Sequence, residues 1–157
     1  MERPSGLFAA NTFGQAEQTM SFRYTTNPQE VDWTQLKAVL MADDFCNGRT
    51  PDEYRRSAEG SHLNIYVWDG DTIIGNGRIL SDGVCNAYIV DIWTATPFRR
   101  QGIGGEIVRL LCESVPGQHV YLQTDDAFEF YAACGFSRHD FGLARVVGTW
   151  LNREPAS

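Results

Sequence analysis

The chain contains no stretch approaching the roughly 18 to 20 consecutive apolar residues that a membrane-spanning helix requires. Nor does its amino terminus show a basic region followed by an apolar run and a cleavage site. These absences argue against a membrane partner and lead to the expectation of a soluble, cytoplasmic protein. Closely spaced cysteines are missing as well. Cys46, Cys85, Cys112 and Cys134 stand far apart without a C-x-x-C, and the three histidines make no zinc spacing with them. Neither a disulfide framework nor a metal site is expected, and each cysteine reads first as a small buried hydrophobe. Basic charge is also scarce, with 13 Lys and Arg against 20 Asp and Glu and a formal net charge of −7. Nucleic-acid binding relies on Lys and Arg neutralising phosphates, so this balance argues against such a partner and leaves small molecules as the expected ones. An acidic field would attract a cationic amine, and it would equally serve solubility. Internal repeats and low-complexity segments are absent.

What is present suits one domain. A chain of 157 residues with 43% hydrophobic and 12% aromatic content can bury one proper core and is too short for two ordinary domains. Residues 1–19 show neither helical nor strand periodicity and read as a flexible extension, which places the domain at 20–157. From Ser21 a short alternating run predicts a strand that Asn27-Pro28 ends. Asp32 with Gln35 suits a helix start, and Trp33, Leu36, Val39 and Leu40 then recur on one helical face. Thr50-Pro51-Asp52-Glu53 sets a capping hydroxyl, a proline and a glutamate at the head of a second helix running to about Ala58. Three strand-like runs follow, His62 to Trp68, Thr72 to Leu80 and Asn86 to Thr94, separated by Asp-Gly turns, as in an antiparallel meander. Beyond them the pattern predicts a helix carrying Ile103, Ile107, Leu110 and Leu111, a strand from His119 to Gln123 and a helix from Asp126 to Cys134. Two final strands are expected, Ser137 to Phe141 and Leu143 to Trp150.

The stretch from Ile92 to Gly105 carries the clearest chemistry, because a strand there runs through a basic, glycine-rich turn into an amphipathic helix. Glycines let the backbone approach an anion, successive N–H groups converge on it, and the helix amino terminus adds its dipole. Arg99 and Arg100 supply full charges. Two other phosphate loops fail on residue grounds. A Walker loop needs Gly-Lys-Ser/Thr where this chain has Gly104-Gly105-Glu106, and a dinucleotide loop needs a third glycine where Val108 stands.

Arg99-x-x-Gly102-x-Gly104 directly after a strand resembles the acetyl-CoA pyrophosphate loop of the GCN5-related N-acetyltransferases. Phe130-Tyr131-Ala132-Ala133-Cys134-Gly135-Phe136 is similar to that family's F-Y-x-x-x-G-F signature, and the element order from Ser21 onward agrees. The run Gly75 to Gly104, with Leu80-Ser81-Asp82-Gly83-Val84 and Ile89-Val90-Asp91-Ile92, looks most similar to the plant-type serotonin N-acetyltransferases and their bacterial relatives. The chain departs from that branch over Leu143 to Leu151.

The resemblance implies a single α/β domain with a mostly antiparallel sheet, in the order β-α-α-β-β-β-α-β-α-β-β, and acetyl-CoA entering between the fourth and fifth strands. It implies that Ile92, Trp93 and Thr94 pair with the pantetheine arm. It further implies that Arg99, Arg100, Gln101, Gly102, Ile103, Gly104 and Gly105 hold the pyrophosphate, with no metal. Tyr131 matches the tyrosine that protonates the departing thiolate, although a Phe-Tyr pair on a helix also reads as core packing. Asp91 reads either as the base that deprotonates the amine or as a structural carboxylate. Asp125 stands where many relatives carry a pantetheine-binding asparagine, and it reads better as a helix-starting carboxylate. Asp43-Asp44-Phe45, Tyr54 and the final hairpin are the expected acceptor pocket, and a homodimer is compatible with the resemblance. The implied reaction is acetyl transfer to a primary amine of a small molecule. A non-catalytic acyl-CoA sensor and a protein amino-terminal or lysine acetyltransferase stay open as alternatives.

Overall fold

Capping and turn chemistry place the first half of the chain as the sequence predicts. The computed structural model describes residues 21–140 and 142–153; the expected extension over 1–19 lies outside the described residues. Strand β1 (Arg23–Thr25) leads to helix α1 (Trp33–Ala42), where Asp32 accepts a hydrogen bond from the Gln35 amide at 2.9 Å. Helix α2 (Pro51–Glu59) opens on a full capping box: Thr50 takes the Glu53 amide and Glu53 takes the Thr50 amide. Strands β2 (Leu63–Asp69), β3 (Thr72–Ser81) and β4 (Asn86–Thr94) form the antiparallel meander, followed by α3 (Ile103–Glu113), β5 (His119–Tyr121) and α4 (Phe128–Ala133). The sheet order is β1-β2-β3-β4-β5, with only β4 and β5 parallel. No helix among the described residues is long and apolar enough to cross a membrane.

One sheet face packs on α3 through Ile65, Val67, Ile74, Ile79, Ile107 and Leu111. The other packs on α1 and α2 through Leu36, Leu40, Tyr54, Tyr66 and Trp93. Leu40, Val67, Ile79, Ile107 and Leu111 are wholly excluded from solvent. Burial of each such side chain stabilises by roughly 1.5 to 3 kcal/mol.

The two final strands are not formed among the described residues; those at 137–140 and 142–149 are irregular. Ser137-Arg138-His139-Asp140 offers no apolar side chain to a sheet face. The apolar residues that follow, Leu143, Val146, Val147 and Trp150, recur at spacings of three, one and three, which is not the alternation a half-buried strand needs. All four are exposed, Leu143 at 98%. The tail instead crosses the loop after α1. Trp150 Nε1 donates to Asn47 O at 3.0 Å, Arg153 Nη1 donates to Gly48 O at 2.6 Å, and Arg153 pairs with Glu53. Strand β5 is shorter than expected, and α4 starts at Phe128 without a side-chain cap, so neither Asp125 nor Asp126 heads it.

Within β4 the register slips. Asn76 pairs with Trp93 and Arg78 with Val90, so Gly77 alone opposes Asp91 and Ile92. This is a β-bulge, and Asp91 takes the left-handed conformation within it, at φ 57°. Gly77 has no room for a side chain: a Cβ there would lie 2.6 Å from both Ile92 Cδ1 and Ile107 Cγ2. We expect Gly77→Ala to lower stability by about 1 to 3 kcal/mol through overpacking, read as a lower urea midpoint at unchanged slope.

Candidate active site

Strands β4 and β5 pair only at Asn86–His119, Ala87–Val120 and Tyr88–Tyr121. Strand β4 runs on to Thr94, so its edge from Ile89 onward is left without a β5 partner. An extended ligand can add to such an edge as a strand. Ile92, Trp93 and Thr94 lie on this stretch. The Trp93 indole is buried against α1, whereas Ile92 packs on the α3 face.

At the end of β4 a 3-10 turn (Thr96–Phe98) delivers the glycine-rich loop to α3. Gly102 is the residue before α3 and takes φ 80°, a conformation strained for any L side chain. It supplies no capping side chain, so the Ile103, Gly104 and Gly105 amides at the start of α3 have no intrahelical acceptor. Three converging N–H groups and the helix dipole make an anion cradle. Arg100 and Gln101 are exposed beside it. The Arg99 side chain turns back on the loop. Its Nε donates to Thr94 O at 3.0 Å and its Nη2 to Asp43 Oδ2 at 3.2 Å, so the side chain folds back and braces the loop.

Asp43 is thereby taken out of the expected acceptor pocket. Its carboxylate also accepts from Trp93 Nε1 at 2.8 Å and from the Thr96 amide at 3.3 Å. Burial would raise its pKa, but the hydrogen bonds from Thr96 and Trp93 and the Arg99 charge outweigh this and hold it below the usual carboxylate range.

Tyr131 sits on α4 on the α3 side of the sheet, packed edge-on against Phe130 and Phe136. Burial, with a smaller contribution from Cys134, pushes its phenol up to about 12. Its neighbour Phe130 closes over Gly104, where a Cβ would stand 3.1 Å from the ring. The two sequence motifs are therefore in contact. Asp125 lies in the exposed irregular segment before α4.

Asp91 lies on the other face. Its Oδ2 accepts from Arg49 Nη2 at 2.8 Å and from Arg78 Nε at 2.6 Å, and its carbonyl accepts from Asn76 Nδ2 at 2.9 Å. Beside it opens a cavity of about 230 Å³, lined by Asp44, Phe45, Cys46, Arg49, Tyr54 and Asp91. Arg49 stacks 4.2 Å above the Tyr54 ring. Lys37 Nζ donates to Cys46 Sγ at 3.0 Å; this bond, with that of the Gly48 amide, pulls the Cys46 thiol below its ordinary value.

Sequence reading placed Asp44, Phe45, Tyr54 and Asp91 here and missed Lys37, Cys46, Arg49, Asn76 and Arg78. Lys37 had a signal, since it stands four residues after Trp33 within the apolar stripe of α1. Arg49 had none, because a basic residue before a helix cap ordinarily faces solvent. No group of three or more His, Cys, Asp or Glu side chains among the described residues is placed to hold a metal ion.

Two expectations follow from the loop. Gly102→Val forces a β-branched residue into the left-handed region and should weaken binding of a pyrophosphate ligand at least tenfold, read by calorimetry on the folded variant. Asp43→Asn should loosen the Arg99 brace and weaken the same binding several-fold at neutral pH. The folded-state pKa of Asp43 is depressed, so its contribution is complete above the unfolded value near 3.9 and fades as pH falls through the folded one. The stability difference between variant and parent should therefore shrink below about pH 4 in denaturation measurements.

Comparison with known proteins addresses the same features. The model of the acetyltransferase (GNAT) family matches residues 26–136, a span that holds the meander, the glycine loop and the Phe130–Phe136 motif. No curated protein matches the chain. Among solved structures, it is similar to a candidate acetyltransferase from Deinococcus radiodurans R1, at 26% identity and TM-score 0.69, covering 79% of this chain and 87% of that one. It shares the fold of a GNAT-family acetyltransferase from Streptococcus pneumoniae TIGR4, at 19% identity and TM-score 0.68, covering 82% of this chain and 100% of that one. It also shares the fold of glucosamine-6-phosphate N-acetyltransferase from Arabidopsis thaliana, at 16% identity and TM-score 0.63, covering 80% and 98%. The branch toward plant-type serotonin N-acetyltransferases finds no support in these comparisons. With the family model spanning most of the folded chain and the open β4 edge leading into its glycine loop, the chain belongs to the GNAT family of acetyltransferases.

Proposed function

We propose that this protein transfers an acetyl group from acetyl-CoA to the primary amine of a small molecule. The observation that carries the reading is the open edge of β4. It runs from an anion cradle at the head of α3 past a bulge whose other face borders a cavity of about 230 Å³. The residues fit the coenzyme: the Ile103, Gly104 and Gly105 amides with Arg100 would hold its pyrophosphate, and Ile92 to Thr94 its pantetheine arm. Acetyl-CoA supplies an acetyl group already activated as a thioester. The chain aligns the amine with it, and alignment alone removes much of the barrier.

The two faces of β4 divide the remaining work. Tyr131, on the α3 side, donates its hydroxyl hydrogen to the departing sulfur. A phenol at about 12 holds its proton more tightly than a thiol near 8.5, so the first effect is a hydrogen bond to the developing thiolate. The cavity, on the α1 and α2 side, takes the amine. Asp91 holds two guanidiniums through Oδ2, and protonating the carboxylate on either oxygen would remove the charge that both ion pairs rely on. We therefore assign Asp91 to holding the two guanidiniums, and the ammonium proton leaves through solvent in the cavity.

Tyr131→Phe should bind acetyl-CoA nearly as before in calorimetry and lose about 10²-fold or more in kcat, measured as thiol release. The parent should show no basic limb from this group below about pH 12. Unchanged kcat with chemistry rate-limiting would remove Tyr131 from the mechanism. Asp91→Asn should cost about 3 kcal/mol in urea denaturation, because it leaves the buried Arg49 and the half-buried Arg78 short of a counter-charge. An acidic limb of the pH–rate profile that vanished in this variant would instead assign Asp91 as the base.

A further inference from the structure

The chain is acidic overall, yet among the described residues the two charged side chains that are buried, Lys37 at 5% and Arg49 at 6% exposure, are both cations, Arg49 lining this cavity and Lys37 bound to its Cys46. Buried cations ordinarily face carboxylates. Here Asp91 serves both Arg49 and Arg78 through a single oxygen. Lys37 meets no carboxylate within 4.0 Å among the described residues, its hydrogen bond going to the Cys46 sulfur. Arg49 spends Nε on Asn47 Oδ1 and Nη2 on Asp91, which leaves Nη1 without a hydrogen bond among the described residues. Arg49 thus lines the cavity itself, while Lys37 and Arg78 stand behind it, bound to the lining Cys46 thiol and Asp91 carboxylate. Asp44 stands exposed at the rim.

We infer that the acceptor carries an anionic group, a carboxylate or a phosphate, in addition to its amine, and that this group seats on Arg49 with Lys37 behind it. The inference rests on reading the cavity as the acceptor site. A planar guanidinium with a spare edge is the side chain best shaped to grip either anion, and a desolvated wall strengthens the grip. The exposed Asp44 carboxylate suits the ammonium end as it enters. A volume of about 230 Å³ suits a compact bifunctional molecule, with the anion at the cationic wall and the amine toward β4.

The test has two arms on the full chain. In the first, acetyl transfer is compared across propylamine, β-alanine and phosphoethanolamine. The anionic amines should exceed propylamine in kcat/KM by about 10- to 100-fold, and whichever of the two leads names the anion. Arg49→Lys and Lys37→Gln should each collapse that ratio toward one; Arg49→Lys keeps the charge and so protects against a simple failure to fold. The second arm does not depend on turnover. Alkylation of Cys46 by neutral iodoacetamide, followed by peptide mass, should slow when β-alanine or phosphoethanolamine fills the cavity and not with propylamine, while exposed Cys85 reacts at a constant rate. Shielding of Cys46 without transfer to any amine would keep the anion site and overturn the proposed function. Transfer to propylamine as fast as to the anionic amines, without shielding, would keep the function and overturn the anion site.

Discussion

The rest of the site depends on one extra residue in β4. Two residues, Asp91 and Ile92, oppose Gly77 alone, and the strand can absorb them only because Gly77 leaves space for the Ile92 side chain against Ile107. A bulge bends its strand and sharpens the local twist. Strand β5 lets go of β4 three residues earlier, after Tyr88, so the bend occurs where the β5 edge is already free. The left-handed backbone at Asp91 is strained for a non-glycine residue. It is held from both ends, by Asn76 on the carbonyl and by Arg49 and Arg78 on the carboxylate. The group that fixes the bulge therefore also orients the cations of the cavity, so the sheet defect and the charge arrangement stand or fall together.

A second carboxylate performs the matching task at the other end of the strand. Asp43, leaving α1, binds the Trp93 indole, the Thr96 amide and the Arg99 guanidinium, and so ties the α1 and α2 layer to the loop that heads α3. A glycine-rich turn is by composition loose. The Arg99 contacts with Thr94 O and Asp43 counter that looseness without occupying the amides at the α3 terminus. Motif arginine and anion cradle thus divide their labour, one setting the loop and the other offering the N–H groups.

Local signals made much of this legible. Both helix starts were written in short-range side chain to backbone chemistry, Asp32 to Gln35 and Thr50 to Glu53, and both formed. The meander followed from alternation and Asp-Gly turns. The failures share a cause, which is that the deciding contact lies far along the chain. Asp43 looked like a pocket carboxylate because nothing nearby reveals that Trp93 and Arg99, some fifty residues on, will claim it. Nothing local to Arg49 or Arg78 shows that the bulge will bring Asp91 between them. The glycine pair Gly75-x-Gly77 inside a strand did carry a hint, since interior glycines often mark a bulge or a close approach. The tail misled because its apolar residues are numerous, although their spacing fits neither face of a strand.

That tail bears on the cavity in a way its lack of strands obscures. The loop from Asn47 to Arg49 has no regular structure of its own, and its carbonyls at Asn47 and Gly48 are bound by Trp150 and Arg153 from the far end of the chain. Arg153 also reaches Glu53, whose carboxylate caps α2 through the Thr50 amide. Three carbonyl or carboxylate acceptors on one short stretch are thus satisfied by a segment about a hundred residues away. A loop held only by Arg49 on Asp91 could pivot about that ion pair, whereas tethers on its outer side fix the direction in which the guanidinium presents its free edge. The tail therefore orients the cationic wall from outside, as the bulge orients it from within.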